Sequence, residues 1–159
     1  MILVAFRHGL RAAEVCDLRW SQVDLDAAIL HVRRVKNGTP STHPLLGDEM
    51  RALRRLQRES DPSAFVFVSE RGSPFTTAGF ARMVERAAAA ARLELKAHPH
   101  MLREACGYAL ANRGYDTRDI QVWLGHRFRR SRRVNCYLPS LAAPAAGRSL
   151  PLSAASRLG

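Results

Sequence analysis

An arginine at the start of a helical segment (Arg11), a lysine at a turn (Lys36), a histidine and an arginine three residues apart on one helix face (His100 and Arg103) and a histidine just after a helix-ending glycine (His126) form a set that can surround a phosphate. A guanidinium can fork onto two non-bridging oxygens, and an imidazole can donate a hydrogen bond or move a proton. A lysine can give up a proton where an arginine cannot. Of the 25 cationic residues 23 are arginine, so Lys36 and Lys96 stand out by their type. One Arg or His alone says little, because most sit on solvated faces; the joint pattern carries the reading. The acidic residues form no visible metal cage. The three cysteines, Cys16, Cys106 and Cys136, lie far apart with no C-x-x-C pair, which suits packing in a reducing compartment and offers no metal site. No metal and no cofactor is expected.

The elements that must position this set follow from periodicity. Residues 10–20 (LRAAEVCDLRW) carry apolar side chains at helical spacing and predict a short helix entered at Arg11. Residues 29–36 alternate, with Leu30, Val32, Arg34 and Lys36 on one side and Ile29, His31, Arg33 and Val35 on the other, which predicts a strand. Asn37-Gly38 then reads as a two-residue hairpin turn with Lys36 at its tip, and Pro40 and Pro44 make the return strand an edge strand. Leu46, Met50, Leu53 and Leu56 predict an amphipathic helix ending near Ser60, and residues 64–68 (AFVFV) a short buried strand. Thr76 or Thr77 caps a helix with Phe80, Met83, Val84, Ala87, Ala88 and Ala91 inward, its alanines permitting close packing. Residues 100–113 repeat the helical pattern with Met101, Leu102, Ala105, Cys106, Ala109 and Leu110 inward, His100, Arg103 and Gly107 on another face, and Gly114 at the C′ position. Asp116 caps a last short helix through Trp123, closed by Gly125 and His126.

At 159 residues, 47% hydrophobic and 25% charged, the composition is that of one soluble domain. The longest apolar runs are far short of a membrane span, and the first residues have neither the basic region nor the cleavage site of a secretory signal, so a cytoplasmic protein is expected. A net charge of +11 and a pI near 11.1 point to a polyanionic partner, nucleic acid before membrane. The excess is uneven: residues 1–126 hold a net +4, whereas residues 127–159 hold seven arginines, no acid and no clear period.

The segments RHGLRAAEVCDLRWSQVDLD, VRRVKNGTPSTHPL, HPHMLREACGYALANRG and DTRDIQVWLGHR, in this order over residues 7–127, resemble the tyrosine recombinases of the phage-integrase type, and among them the short recombinases that invert fimbrial phase-variation switches. The resemblance implies an α+β, mainly helical fold: catalytic-domain helices with a small antiparallel β-hairpin sheet over residues 1–137. Composition makes residues 138–159 a low-complexity tail that is expected to be poorly ordered. It implies metal-free phosphoryl transfer, in which a tyrosine hydroxyl attacks a DNA phosphate, forms a 3′-phosphotyrosyl link and frees a 5′-hydroxyl. Arg11 and Arg103 would stabilise the phosphoryl oxygens, His100 would act as acid or base at the tyrosine, His126 would hydrogen-bond the phosphoryl group and Lys36 would protonate the leaving oxygen. Arg34, Gly107 and Arg127 are expected to face the DNA. The expected partner is duplex DNA bearing recombination sites, engaged by a homotetramer.

The chain departs from the family's pattern at three places. The nucleophile is expected about nine residues after the LGH histidine, where Asn135 stands, and Tyr137 is the candidate two residues later. Glu104 replaces the histidine that usually follows the second arginine, and only six residues precede Arg7. The alternative reading is therefore a catalytically inactive, truncated or frameshifted remnant that binds DNA without cutting it.

Overall fold

The computed structural model describes residues 1–35 and 38–126. Within them the chain forms α1 (Ile2–Arg7), α2 (Ala12–Cys16), β1 (Val23–Asp24), β2 (Ile29–Val32), β3 (Ser41–Pro44), α3 (Gly47–Glu59), α4 (Thr77–Ala90), α5 (Pro99–Asn112) and α6 (Thr117–Trp123). Local chemistry sets most of the helix ends. The Arg11 N–H at the entrance of α2 donates to the Glu14 carboxylate at 2.9 Å, Thr76 Oγ1 accepts the Gly79 N–H at 3.0 Å ahead of α4, and Asp116 accepts the Arg118 N–H at 3.0 Å ahead of α6. Pro99 opens α5, where its missing N–H costs nothing. Gly114 and Gly125 follow α5 and α6 with φ of +81° and +68°, the left-handed geometry that ends helices.

The sheet is antiparallel in the order β1-β2-β3, with β3 at an edge and Val32 opposite Ser41. Its alternation matches the sequence pattern: Leu30, Val32 and, beyond the strand, Arg34 are buried, while His31 and Arg33 are exposed. The ladder stops at Val32–Ser41. Two causes are visible: Pro40 has no N–H to offer, and the Arg34 side chain is drawn out of the sheet into the interior. Lys36 and Asn37 lie outside the described residues.

Val4, Ala5, Leu10, Val15, Leu18, Leu30, Val32, Leu53, Val66, Phe80 and Val84 form the main core, and α2 packs on α4 while α1 packs on α5. Cys106, Leu110 and Trp123 form a second cluster between α5 and α6. Three expected features differ. Residues 64–68 make single bridges, Arg19 with Phe65 and Val68 with Pro74, instead of a strand; Val66 and Phe67 are buried because the segment lies over the core. On α4 Ala88 is buried, but Ala87 and, just past the helix end, Ala91 face solvent, where alanine serves helix propensity more than packing. On α5 Ala105 is exposed, and the buried side is Arg103, Cys106 and Leu110, because a charged residue takes the inner position between α1 and α6.

Candidate active site

The link between α1 and α2 brings Arg11 to a helix start and puts Glu14 one turn behind it. Glu14, its side chain 1% exposed, accepts from the Arg11 N–H at 2.9 Å, from Arg11 Nη1 at 2.8 Å, from Arg34 Nη1 at 3.0 Å and from the Val35 N–H at 3.2 Å. Burial by itself would raise the Glu14 pKa. The Arg11 N–H, the Arg34 charge and the two guanidinium bonds outweigh it and hold the carboxyl below its usual value. Arg11 remains partly open, with its side chain 32% exposed.

Arg103 enters the same region from α5. Its Nη1 donates to the Gly9 carbonyl and its Nη2 to the Leu124 carbonyl at 2.5 Å, so one guanidinium ties the α1–α2 link to the turn after α6. Each terminal nitrogen keeps a second N–H for another acceptor. Burial first, then the charges of Arg11 and Arg34, pull the Arg103 pKa down to about 10, which leaves it cationic at neutral pH. Arg34 is enclosed, its side chain 0% exposed, and its two terminal nitrogens donate to protein acceptors instead of outward. Burial lowers its pKa against the opposing pull of Glu14. Arg11 and Arg34 thus share one carboxylate while Arg103, nearby, is bonded to backbone carbonyls, and the surplus positive charge makes a site for an anion.

His126 follows Gly125 at the exposed edge, its backbone N–H on the Gln121 carbonyl at 2.8 Å. Partial burial and then the charges of Arg103, Arg11 and Arg34 hold its imidazole below its usual pKa, so it is neutral at pH 7 and still has one N–H to donate. His100 stands one turn before Arg103, exposed, with Nε2 3.6 Å from a Glu104 carboxylate oxygen. Glu104 therefore faces His100, while the Arg103 fork is taken up by backbone carbonyls. A Cβ on Gly107 would meet Leu124 Cδ1 at 3.6 Å, an ordinary contact, which places Gly107 against the end of α6. Tyr108, on the same helix, is exposed. The fold brings together Arg11, Arg34, Arg103 and His126; Lys36, Arg127 and Tyr137 lie outside the described residues.

Two groups of buried polar residues were not singled out by sequence. One is Glu14, whose signal is its place three residues after the helix-starting Arg11. The other runs from Ser41 Oγ to His43 Nε2 (2.8 Å), from His43 Nδ1 to His8 Nδ1 (3.2 Å) and from His8 Nε2 to Glu49 (3.2 Å), with Trp123 stacked on His43 at 3.8 Å between ring centroids. It binds β3, the end of α1, α3 and α6 to one another beneath the site. Isolated histidines in sequence give no sign of such a chain. Among the described residues no three His, Cys, Asp or Glu side chains are grouped so as to hold a metal ion.

A mainly helical domain with a three-stranded antiparallel sheet and this arginine cluster has the architecture of a tyrosine recombinase catalytic domain. The chain belongs to the phage integrase family, whose model matches residues 1–142. It is 46% identical over 132 residues to the type 1 fimbriae regulatory protein FimB of Escherichia coli (strain K12), covering 80% of this chain and 66% of that protein. The crystal structure of XerA recombinase superposes with a TM-score of 0.70 at 30% identity, covering 77% of this chain and 46% of that one. The lambda integrase catalytic core shares the fold at a TM-score of 0.64 and 24% identity, covering 82% and 80%. The chain thus spans about two thirds of the length of FimB.

Proposed function

We propose that this chain carries the catalytic machinery of a site-specific DNA recombinase that cuts and rejoins strands through a 3′-phosphotyrosyl intermediate and inverts a DNA element. The observation that supports it most is the Arg11–Glu14–Arg103 cluster with His126 at its edge, in a chain 46% identical to FimB. A DNA phosphate enters beside Arg11 and Arg103, whose free N–H groups take the non-bridging oxygens as charge builds in the transition state. Tyr137 Oη attacks phosphorus, aided by His100 as base. The bond from phosphorus to O5′ breaks, and Lys36 supplies the proton that the departing oxygen takes up. His126 donates its N–H to the phosphoryl group. Rejoining reverses each transfer, with a 5′-hydroxyl from the partner strand as nucleophile, so the bond energy is stored and no metal or cofactor is consumed.

Duplex DNA in the cytoplasm is the partner, held by a homotetramer that aligns two sites, with Gly107 and Arg127 near the backbone. The test is trapping on nicked duplexes, in which the short 5′-hydroxyl fragment diffuses away and the covalent adduct persists. Arg103→Ala abolishes the adduct while leaving most binding in place. Salt-sensitive binding without any adduct would instead mark a DNA-binding remnant.

A further inference from the structure

A buried guanidinium has five N–H groups to satisfy. The four on the terminal nitrogens of Arg34 find acceptors on three separate stretches of chain, while its Nε has none among the described residues. Its Nη1 donates to Glu14 Oε2 at 3.0 Å and to the Gly9 carbonyl at 3.3 Å; its Nη2 donates to the His8 carbonyl at 3.4 Å and to the Trp123 carbonyl. The stem is equally confined. A Cβ on Gly125 would lie 2.6 Å from Arg34 Nε and 2.8 Å from its Cδ and Cγ, and a Cβ on Gly38 would lie 2.6 Å from Arg34 Cβ and 3.0 Å from the Gly125 carbonyl oxygen. Only because both positions are glycine does the side chain pass between the strand connection and the turn before His126. Arg103 donates to the Gly9 carbonyl as well, so the two guanidiniums clasp the α1–α2 link to the turn after α6.

We propose that Arg34 is a positioning residue for the strand-transfer site: its planar fork locks the stretch from Gly9 to Glu14, which carries Arg11, to the Trp123–Gly125 turn, which carries His126. The role rests on the recombinase reading above. It assigns Arg34 to the interior of the site and not to the DNA surface. A lysine in its place keeps the charge near Glu14 but has no fork to span the carbonyls, so the conservative replacement separates bridging from charge.

The test compares the full chain with its Arg34→Lys and Arg34→Met variants in two measurements. The first sets the rate of adduct formation on a pool of nicked duplexes of random sequence against affinity for the same pool. The second is amide hydrogen exchange. In both variants the adduct rate falls by about tenfold or more while affinity stays within about threefold, the pattern of a misplaced reacting group. Exchange at Gly9, Glu14, Gly125 and His126 speeds up by about tenfold or more, while the amides of Val4, Leu53 and Phe80 keep their wild-type protection. Should Arg34→Met fail to fold, Arg34→Lys alone carries both measurements. Wild-type exchange at those four amides in Arg34→Lys, or a wild-type adduct rate in that variant, overturns the proposal. If the wild-type chain itself forms no adduct, the recombinase reading fails, and the exchange measurement alone decides whether Arg34 bridges the two segments.

Discussion

Glu14 is the residue on which the arrangement of the site depends most. Its carboxylate is enclosed with Arg34, and removing one partner of a buried ion pair leaves the other charged and unsolvated. Glu14→Ala should therefore lower stability by about 3–5 kcal/mol, measurable by urea unfolding at pH 7. Because the folded pKa of Glu14 is depressed, its contribution is present above the ordinary glutamate value of 4.5 and is lost as pH falls through the folded value. The wild-type protein should lose stability in that acid range more steeply than the variant does. At His126 the expectation concerns charge. An NMR titration should place its midpoint below the usual 6.5, and Arg103→Gln, by removing a nearby positive charge, should raise it. Type and spacing singled out Arg11, Arg103 and His126 as candidates, and the fold brings the three near one another. Glu14 was less legible, since an acid at the third position of a helix usually serves only as a cap. The alternation put Arg34 on the same side of the strand as Leu30 and Val32, yet it was expected to face DNA, and only the positions of Gly38 and Gly125 reveal why an arginine fits inside.

The elements that carry these residues are joined by the chain of Ser41, His43, His8 and Glu49. Burial first, then the proximity of His8 and Arg34, holds the His43 pKa well below 6.5, so this imidazole stays neutral in the folded protein. The unfolded chain binds a proton near 6.5 where the folded one does not, so stability falls as pH drops below that value. Replacing His43 by Gln should flatten this part of the profile, as read from melting temperature between about pH 7 and pH 5. Gly125 offers a second test. At φ +68°, with Arg34 against it, Gly125→Ala should cost more than the roughly 1 kcal/mol of an ordinary left-handed glycine and should disturb the turn before His126. Helices α3 to α6 could be read from apolar period and caps because those signals are local. The strand expected at residues 64–68 failed because an apolar run of that length fits a buried loop segment as well as a strand, and single bridges are settled by tertiary packing. The paired part of the hairpin ends at Val32, where the next inward side chain, Arg34, is drawn into the interior; Asn37 of the expected turn lies outside the described residues.

At the scale of the whole molecule, the net charge of +11 is a poor guide to where DNA would bind. Residues 1–126 hold only +4 of it, and within them Arg34 and Arg103 are turned to protein carbonyls with a shared acid nearby. Affinity for duplex DNA should still fall steeply with salt, and Arg127→Ala should reduce the log–log slope by about one while weakening all sequences alike. Catalysis is expected to depend on a few cations and one tyrosine, and so to be separable from binding. The most direct measurement is trapping on the pool of nicked duplexes, followed by denaturing electrophoresis and sequencing of the captured DNA. The account predicts a protein–DNA adduct that survives denaturant, is enriched in one sequence, and disappears in Tyr137→Phe while DNA binding persists. An adduct that forms undiminished in Tyr137→Phe, or a wild-type protein that binds DNA and never becomes linked to it, would contradict the account.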